Sequence, residues 1–280
     1  MLQFGMHAPN YRFWDMEEMM EVSQGGATTW LHTSILHDAD GRAWFERCLD
    51  RPGVIHIRLY TPDWTQEDPG AWAEECAEAL GTYLTRPGVI VTPCNEPNLE
   101  PSLDSSVARY EAIRDWVLEF AAEWYSHTYD TPVQLYFPPL AYGHEPPEYP
   151  PDGEYRILAP AVEVCQGVAV HAAWWPDGNG LIRDGYWHAY RFLRPAGGDD
   201  PGGVLAQFGM RVMVTEVTNH AHEDASLAEV TFGQYKLYLD TLRRYPRVIG
   251  VTPFIWMSGD EHQGHRIRNN PELVRLLKQL

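Results

Sequence analysis

A chain of 280 residues with 44% hydrophobic and 21% charged side chains can bury a large core, which excludes wholesale disorder. Its formal net charge of −18 excludes nucleic acid and anionic lipid surfaces as partners, because both recruit an excess of Lys and Arg; a neutral ligand fits better. No apolar run approaches membrane-spanning length, so no membrane partner is expected.

Along the chain, apolar β-branched runs alternate with amphipathic stretches. The pattern predicts strands near 2–7, 27–36, 53–60, 88–95, 132–138, 167–173, 211–217 and 248–256. Eight such runs with helices between them predict an α/β fold, a single-domain (β/α)8 TIM barrel over residues 1–280. The clearest helix covers 106–127, where Val107, Tyr110, Ile113, Val117 and Phe120 recur on one face. Stretches 71–85 and 231–245 read similarly, and a last helix, 271–280, opens with Pro at a first-turn position. Pro52-Gly53, Pro87-Gly88 and Pro246-Arg247 put turn chemistry just before three strands. Two connections are long: 142–155, rich in Pro, and 174–209, rich in Trp, Gly and Asp. Both leave strand C-termini, so both are expected to wall a site. Four cysteines, at 48, 76, 94 and 165, show no CxxC or zinc-type spacing and read as free thiols. The N-terminus lacks the basic, then apolar, then small-residue layout of a secretory signal. The chain as written is therefore expected in the cytoplasm, or secreted if a leader was removed.

Two strands stop at carboxylates. Val89-Ile90-Val91-Thr92 leads through Pro93 and Cys94 to Asn95-Glu96-Pro97, and Val212-Met213-Val214-Thr215 leads to Glu216. In (β/α)8 barrels the strand C-termini form the catalytic face, so Glu96 and Glu216 should share one mouth. Paired carboxyl groups there suit glycosidic bond cleavage with retention: one donates a proton to the leaving oxygen and the other attacks the anomeric carbon. The chain also carries 11 Trp and 15 Tyr, and aromatic rings beside polar groups suit the apolar faces of sugars.

Asn95-Glu96-Pro97 at the fourth strand end, Glu216 at the seventh, and Trp256 closing Thr252-Pro253-Phe254-Ile255-Trp256 at the eighth resemble the clan A retaining glycoside hydrolases. The resemblance implies Glu96 as general acid/base and Glu216 as nucleophile. It further implies Asn95 as a donor to the sugar 2-hydroxyl, Trp256 as a platform beneath the ring, and a preference for β-linked substrates. His171, ending Val168-Ala169-Val170-His171, resembles the strand-six histidine of family 5, although the aromatic expected two positions later is here Ala173. Trp174 or Trp175 is placed to substitute. Arg58, ending the third strand, is positioned to brace Glu216, and His7, ending the first, to contact a hydroxyl. Each also has a plainer reading: Arg58 as an ion-pair partner, His171 and His7 as hydrogen-bonded core histidines, Trp174, Trp175 and Trp187 as loop packing.

The expected activity is hydrolysis of a β-glycosidic bond in an oligo- or polysaccharide, with no cofactor and no metal. The carbohydrate is the expected partner; the sequence sets neither the oligomeric state nor hydrolysis against transglycosylation. Two rivals stand beside it. A metal-dependent, sugar-isomerase-like barrel would use Glu96, His171 and Glu216 as ligands, with His220, His222, His262 and His265 also available. A non-catalytic carbohydrate-binding barrel would keep aromatic platforms, but binding has no need of both an acid and a nucleophile.

Overall fold

The computed structural model describes residues 2–8, 21–22, 26–31, 36, 39–50, 53–141, 153–176, 182–187, 192–219, 228–253, 267 and 270–279. In chain order the strands are β1 (Gln3–Ala8), β2 (Gly26–Leu31), β3 (Ile55–Leu59), β4 (Val89–Thr92), β5 (Gln134–Phe137), β6 (Gly167–Pro176), β7 (Ile182–Trp187), β8 (Arg211–Asn219) and β9 (Val248–Pro253). The helices are α1 (Ala39–Leu49), α2 (Pro69–Leu80), α3 (Val107–Thr128), α4 (Tyr155–Glu163), α5 (Val204–Phe208), α6 (Ala228–Leu242) and α7 (Pro271–Leu277).

Hydrogen-bonded neighbours run β5-β4-β3-β2-β1-β9-β8-β6, every pair parallel, and β5 also pairs with β6, so the sheet curls back on itself. Parallel neighbours need crossovers, and α1 to α4 and α6 supply them on the outer face. Side chains alternate across each strand. On β3, Ile55, Ile57 and Leu59 join the main core beneath the helices, while His56 and Arg58 face the other way. A separate small cluster of Ile90, Tyr136 and Met213 fills the opposite side of the sheet. Gly167 makes room for it: a Cβ there would lie 2.4 Å from the Tyr136 ring.

Sequence chemistry fixes the element ends. Asp68 caps α2 by accepting from Ala71 N at 2.8 Å, and Pro69 opens the helix. Asn270 and Pro271 do the same for α7. Along α3 the buried face is Tyr110, Ile113, Val117 and Phe120, extended by Trp116 and Trp124, whose rings stack on either side of Phe120 at 5.6 and 5.7 Å. Gly53 and Pro87-Gly88 lie at strand N-termini as expected. Gly88 has φ +83°, and a Cβ on it would come within 2.6 Å of the Gly53 carbonyl oxygen.

One region differs from expectation. Residues 174–187, read as loop, instead extend β6 to Pro176 and add antiparallel β7, with Trp174 paired to Trp187. The arms themselves are rich in Trp and Tyr, residue types that favour strands. The insertion makes the expected seventh and eighth strands β8 and β9. Cys76, Cys94 and Cys165 are buried free thiols, and among the described residues no helix is long and apolar enough to cross a membrane.

Candidate active site

The side chains that gather at the C-terminal edge come from β3, β6, β8 and the turn after β4. Arg58 sits at the centre, its side chain 0% exposed, donating from Nη1 to Glu216 Oε1 at 2.6 Å and from Nη2 to His171 Nε2 at 3.0 Å. The other ring nitrogen, His171 Nδ1, lies 2.6 Å from Glu96 Oε1. The imidazole therefore links Glu96, through Arg58, to Glu216, and the two glutamate side chains stay 20% (Glu96) and 17% (Glu216) exposed and so remain open to a ligand.

Elementary chemistry assigns the imidazole protons. A guanidinium can only donate, so Nε2 is the unprotonated nitrogen and Nδ1–H donates to Glu96 Oε1. Burial holds the His171 pKa down at about 3 despite the pull of Glu216, with Arg58 pushing further down, so the ring is neutral. The 3.6 Å approach of Nε2 to Glu216 Oε1 is then a contact between two acceptors that share the Arg58 fork, not an ion pair.

A bulge sets Glu216 in this position. Along β6 and β8, Val170 pairs with Val214 but His171 pairs with Glu216, leaving Thr215 as an extra residue; the β8–β9 register skips at the same place. The core contacts of β8 show the same slip, running Val212, Val214 and then Val217. In an unbroken alternation Glu216 would follow Val214 into the helix-side core; the inserted residue turns it to the face that carries Arg58 and His171. Thr252 Oγ1 donates to the bulged Thr215 carbonyl at 2.7 Å, and the Thr215 hydroxyl reaches the Val170 carbonyl at 3.4 Å.

Glu96 lies in a tight turn. Its φ is +28°, rare for a residue with a Cβ, and its carbonyl accepts from Leu99 N at 2.7 Å and Glu100 N at 2.9 Å. Two side chains fasten the turn from outside: Trp64 Nε1 and Arg109 donate to the carbonyls of Pro97 and Glu100, and the Arg109 guanidinium rests 4.6 Å from the Trp64 ring centroid. Asn98 closes it with a reciprocal pair of bonds to the Ala141 backbone, at 2.9 and 2.8 Å. This brings Glu100 back beside Asn95, whose Nδ2 donates to Glu100 Oε1 at 2.8 Å.

Of the residues singled out from sequence, Glu96, Glu216, His171 and Arg58 come together, with Asn95 adjoining. His7 lies on β1 one residue before its end and Trp174 lies on β6, but their side chains fall outside the described set, and Trp256 lies outside the described residues altogether. Sequence reasoning missed Glu100, Thr252 and His56, whose Nε2 meets Thr92 Oγ1 at 2.9 Å one inward layer below Arg58. Of these only His56 carried a signal, since it shares the inward alternation of Arg58; Glu100 and Thr252 carried none.

Comparison with solved structures adds the fold. A GH128 (subgroup II) endo-β-1,3-glucanase from Sorangium cellulosum superposes with TM-score 0.59 at 13% identity, covering 99% of this chain and 97% of that one. A family 5 xyloglucanase from Paenibacillus pabuli gives TM-score 0.54 at 12% identity, covering 99% and 98%. The catalytic domain of a GH26 endo-β-1,4-mannanase from Bacillus sp. JAMB-750 gives 0.56 at 11%, covering 99% and 85%. The fold is TIM-barrel-like. No protein-family model and no curated protein sequence matches the chain. In the TIM-barrel-like frame, the edge where Glu96, His171, Arg58 and Glu216 meet is the edge formed by strand C-termini, where barrel enzymes keep their active sites.

Proposed function

We propose that this protein is a glycoside hydrolase built on a complete (β/α)8 barrel, cleaving β-glycosidic bonds of an oligo- or polysaccharide with retention. The observation that carries the reading is the single imidazole of His171 joining Glu96 to the Arg58–Glu216 pair. Two carboxyl groups, from β8 and from the turn after β4, are thereby held near one centre, in different surroundings.

In the proposed reaction Glu216, held by the Arg58 fork, attacks the anomeric carbon. Glu96 gives its proton to the departing oxygen. Because Oε1 of Glu96 already accepts from His171 Nδ1, that proton sits on Oε2. Water then attacks the glycosyl-Glu216 ester, with Glu96 returning as base. Retaining enzymes hold the two carboxyl groups roughly 5–5.5 Å apart and inverting ones roughly 6.5–9.5 Å apart, so the stereochemical outcome tests this assignment directly. The rival metal reading fits these residues poorly: both His171 nitrogens are engaged, and a buried guanidinium occupies the position from which a cation would bind Glu216.

A panel of nitrophenyl β-glycosides with soluble β-glucans, mannans, xylans and galactans tests the activity. Proton NMR of the first-formed anomer should show β product, and a 2-fluoro-sugar label should map to Glu216; α product or a label elsewhere overturns the mechanism. Glu96→Gln should lose activity on unactivated substrates and recover it on dinitrophenyl leaving groups, which depart without a proton.

A further inference from the structure

Resting on that reading, we propose that Glu100 is a positioning residue of the reaction: by taking the Asn95 amide N–H it decides which atom of Asn95 is offered to the substrate. The clan resemblance implies Asn95 as a donor to a sugar hydroxyl. Instead its Nδ2 is turned to Glu100 Oε1 at 2.8 Å, while its Oδ1 is buried without a hydrogen-bond partner among the described residues. An unsatisfied buried acceptor is costly, and a sugar hydroxyl donating to Oδ1 removes that cost.

Glu100 is not a casual neighbour. Its backbone carbonyl is gripped by Trp64 Nε1 and by Arg109, and its N–H donates to the Glu96 carbonyl, so the side chain is delivered to Asn95 by a fastened turn. The charged and titratable groups that act on it are Glu96 in its own turn, Arg58 from β3 and Glu216 from β8. Arg109 from α3 and the buried Cys94 thiol adjoin. Burial, with Glu96 and Glu216 adding repulsion, raises its pKa to about 7 against the opposing Asn95 bond and Arg58. When Glu100 is ionised, the amide must donate to it and Oδ1 is left for the sugar. When it is protonated, its O–H donates to Oδ1 and the rotated amide offers N–H to the sugar. Ionised Glu100 also adds negative charge beside Glu96, which keeps the acid protonated to higher pH.

The test uses the full chain. In the wild type without substrate, the Asn95 side-chain 15N–H2 resonances should shift with a midpoint at about 7, and Glu100→Gln should abolish that shift. On the nitrophenyl β-glycoside that the wild type cleaves best, Glu100→Gln should move the alkaline limb of kcat/KM to lower pH, with about a tenfold loss above neutrality. An Asn95 amide that stays unmoved through neutral pH, or a Glu100→Gln profile that superimposes on the wild type, overturns the proposal. If Glu100→Gln does not fold, the wild-type titration alone decides. Absence of turnover on every glycoside defeats the functional reading instead, since the Asn95 titration needs no substrate.

Discussion

A guanidinium presents its N–H groups in a rigid plane, and Arg58 directs two of them at two different acceptors, Glu216 and His171. Lysine keeps the charge but loses the fork. Arg58→Lys should therefore leave His171 Nε2 without its donor and lower kcat by about 10²-fold with a smaller change in KM, as loss of one preorganised donor does; equal kcat would show that only the charge matters. Two neighbours contribute to the pH dependence of stability with opposite signs. His171 is neutral when folded, with its pKa lowered from 6.5 to about 3, so its stability contribution is complete above 6.5 and drains away as pH falls toward 3. Glu100, raised from 4.5 to about 7, contributes fully below 4.5 and loses that contribution as pH rises through 7. Urea midpoints measured across this range should fall on both flanks, and Glu100→Gln should flatten the alkaline one. At this scale the sequence disclosed Glu96, Glu216, Arg58 and His171, because strand-end position and residue type suffice to find them. It did not disclose Glu100, since nothing in Asn95-Glu96-Pro97-Asn98-Leu99-Glu100 says that the turn folds back to hydrogen-bond Asn95.

Among the elements, β8 has the most to do with the site. Its inserted Thr215 lets a hydrophobic strand turn Glu216 away from the helix-side core while Val217 returns to it. Deleting Thr215 should restore simple alternation, which puts either the carboxylate or a valine on the wrong face. The expected result is loss of turnover together with a drop in stability of about 3 kcal/mol in urea unfolding, from the misplaced polar or apolar group. Retained activity would show that the bulge is incidental. The bulge was invisible in the sequence: Val212-Met213-Val214-Thr215-Glu216-Val217 reads as an ordinary strand, and only the partner registers of β6 and β9 expose the extra residue. Strand periodicity located β1 to β6, β8 and β9 to within a few positions. The antiparallel β7 escaped because the Trp-rich stretch after the sixth strand was read as loop.

For the molecule as a whole, the curled parallel sheet brings Glu96 and Glu216, far apart in sequence, to one edge, and their linkage through His171 and Arg58 needs that curl. The alternation of strands and helices made this architecture legible, whereas the long connections, where composition suggests a binding wall, carry no periodicity from which to derive a shape. The chemistry proposed is carried by side chains alone. Dialysis against EDTA should accordingly leave turnover of the best substrate within about twofold, while a metal-assisted reaction would lose several kcal/mol of barrier lowering. The pairing of β1 with β9 has one more consequence. As the chain leaves the ribosome, β1 emerges early but meets its β9 neighbour only after nearly every other strand has been made. Until then one backbone edge of β1 lacks its partner, and an unpaired strand edge is open to wrong pairings until the seam closes.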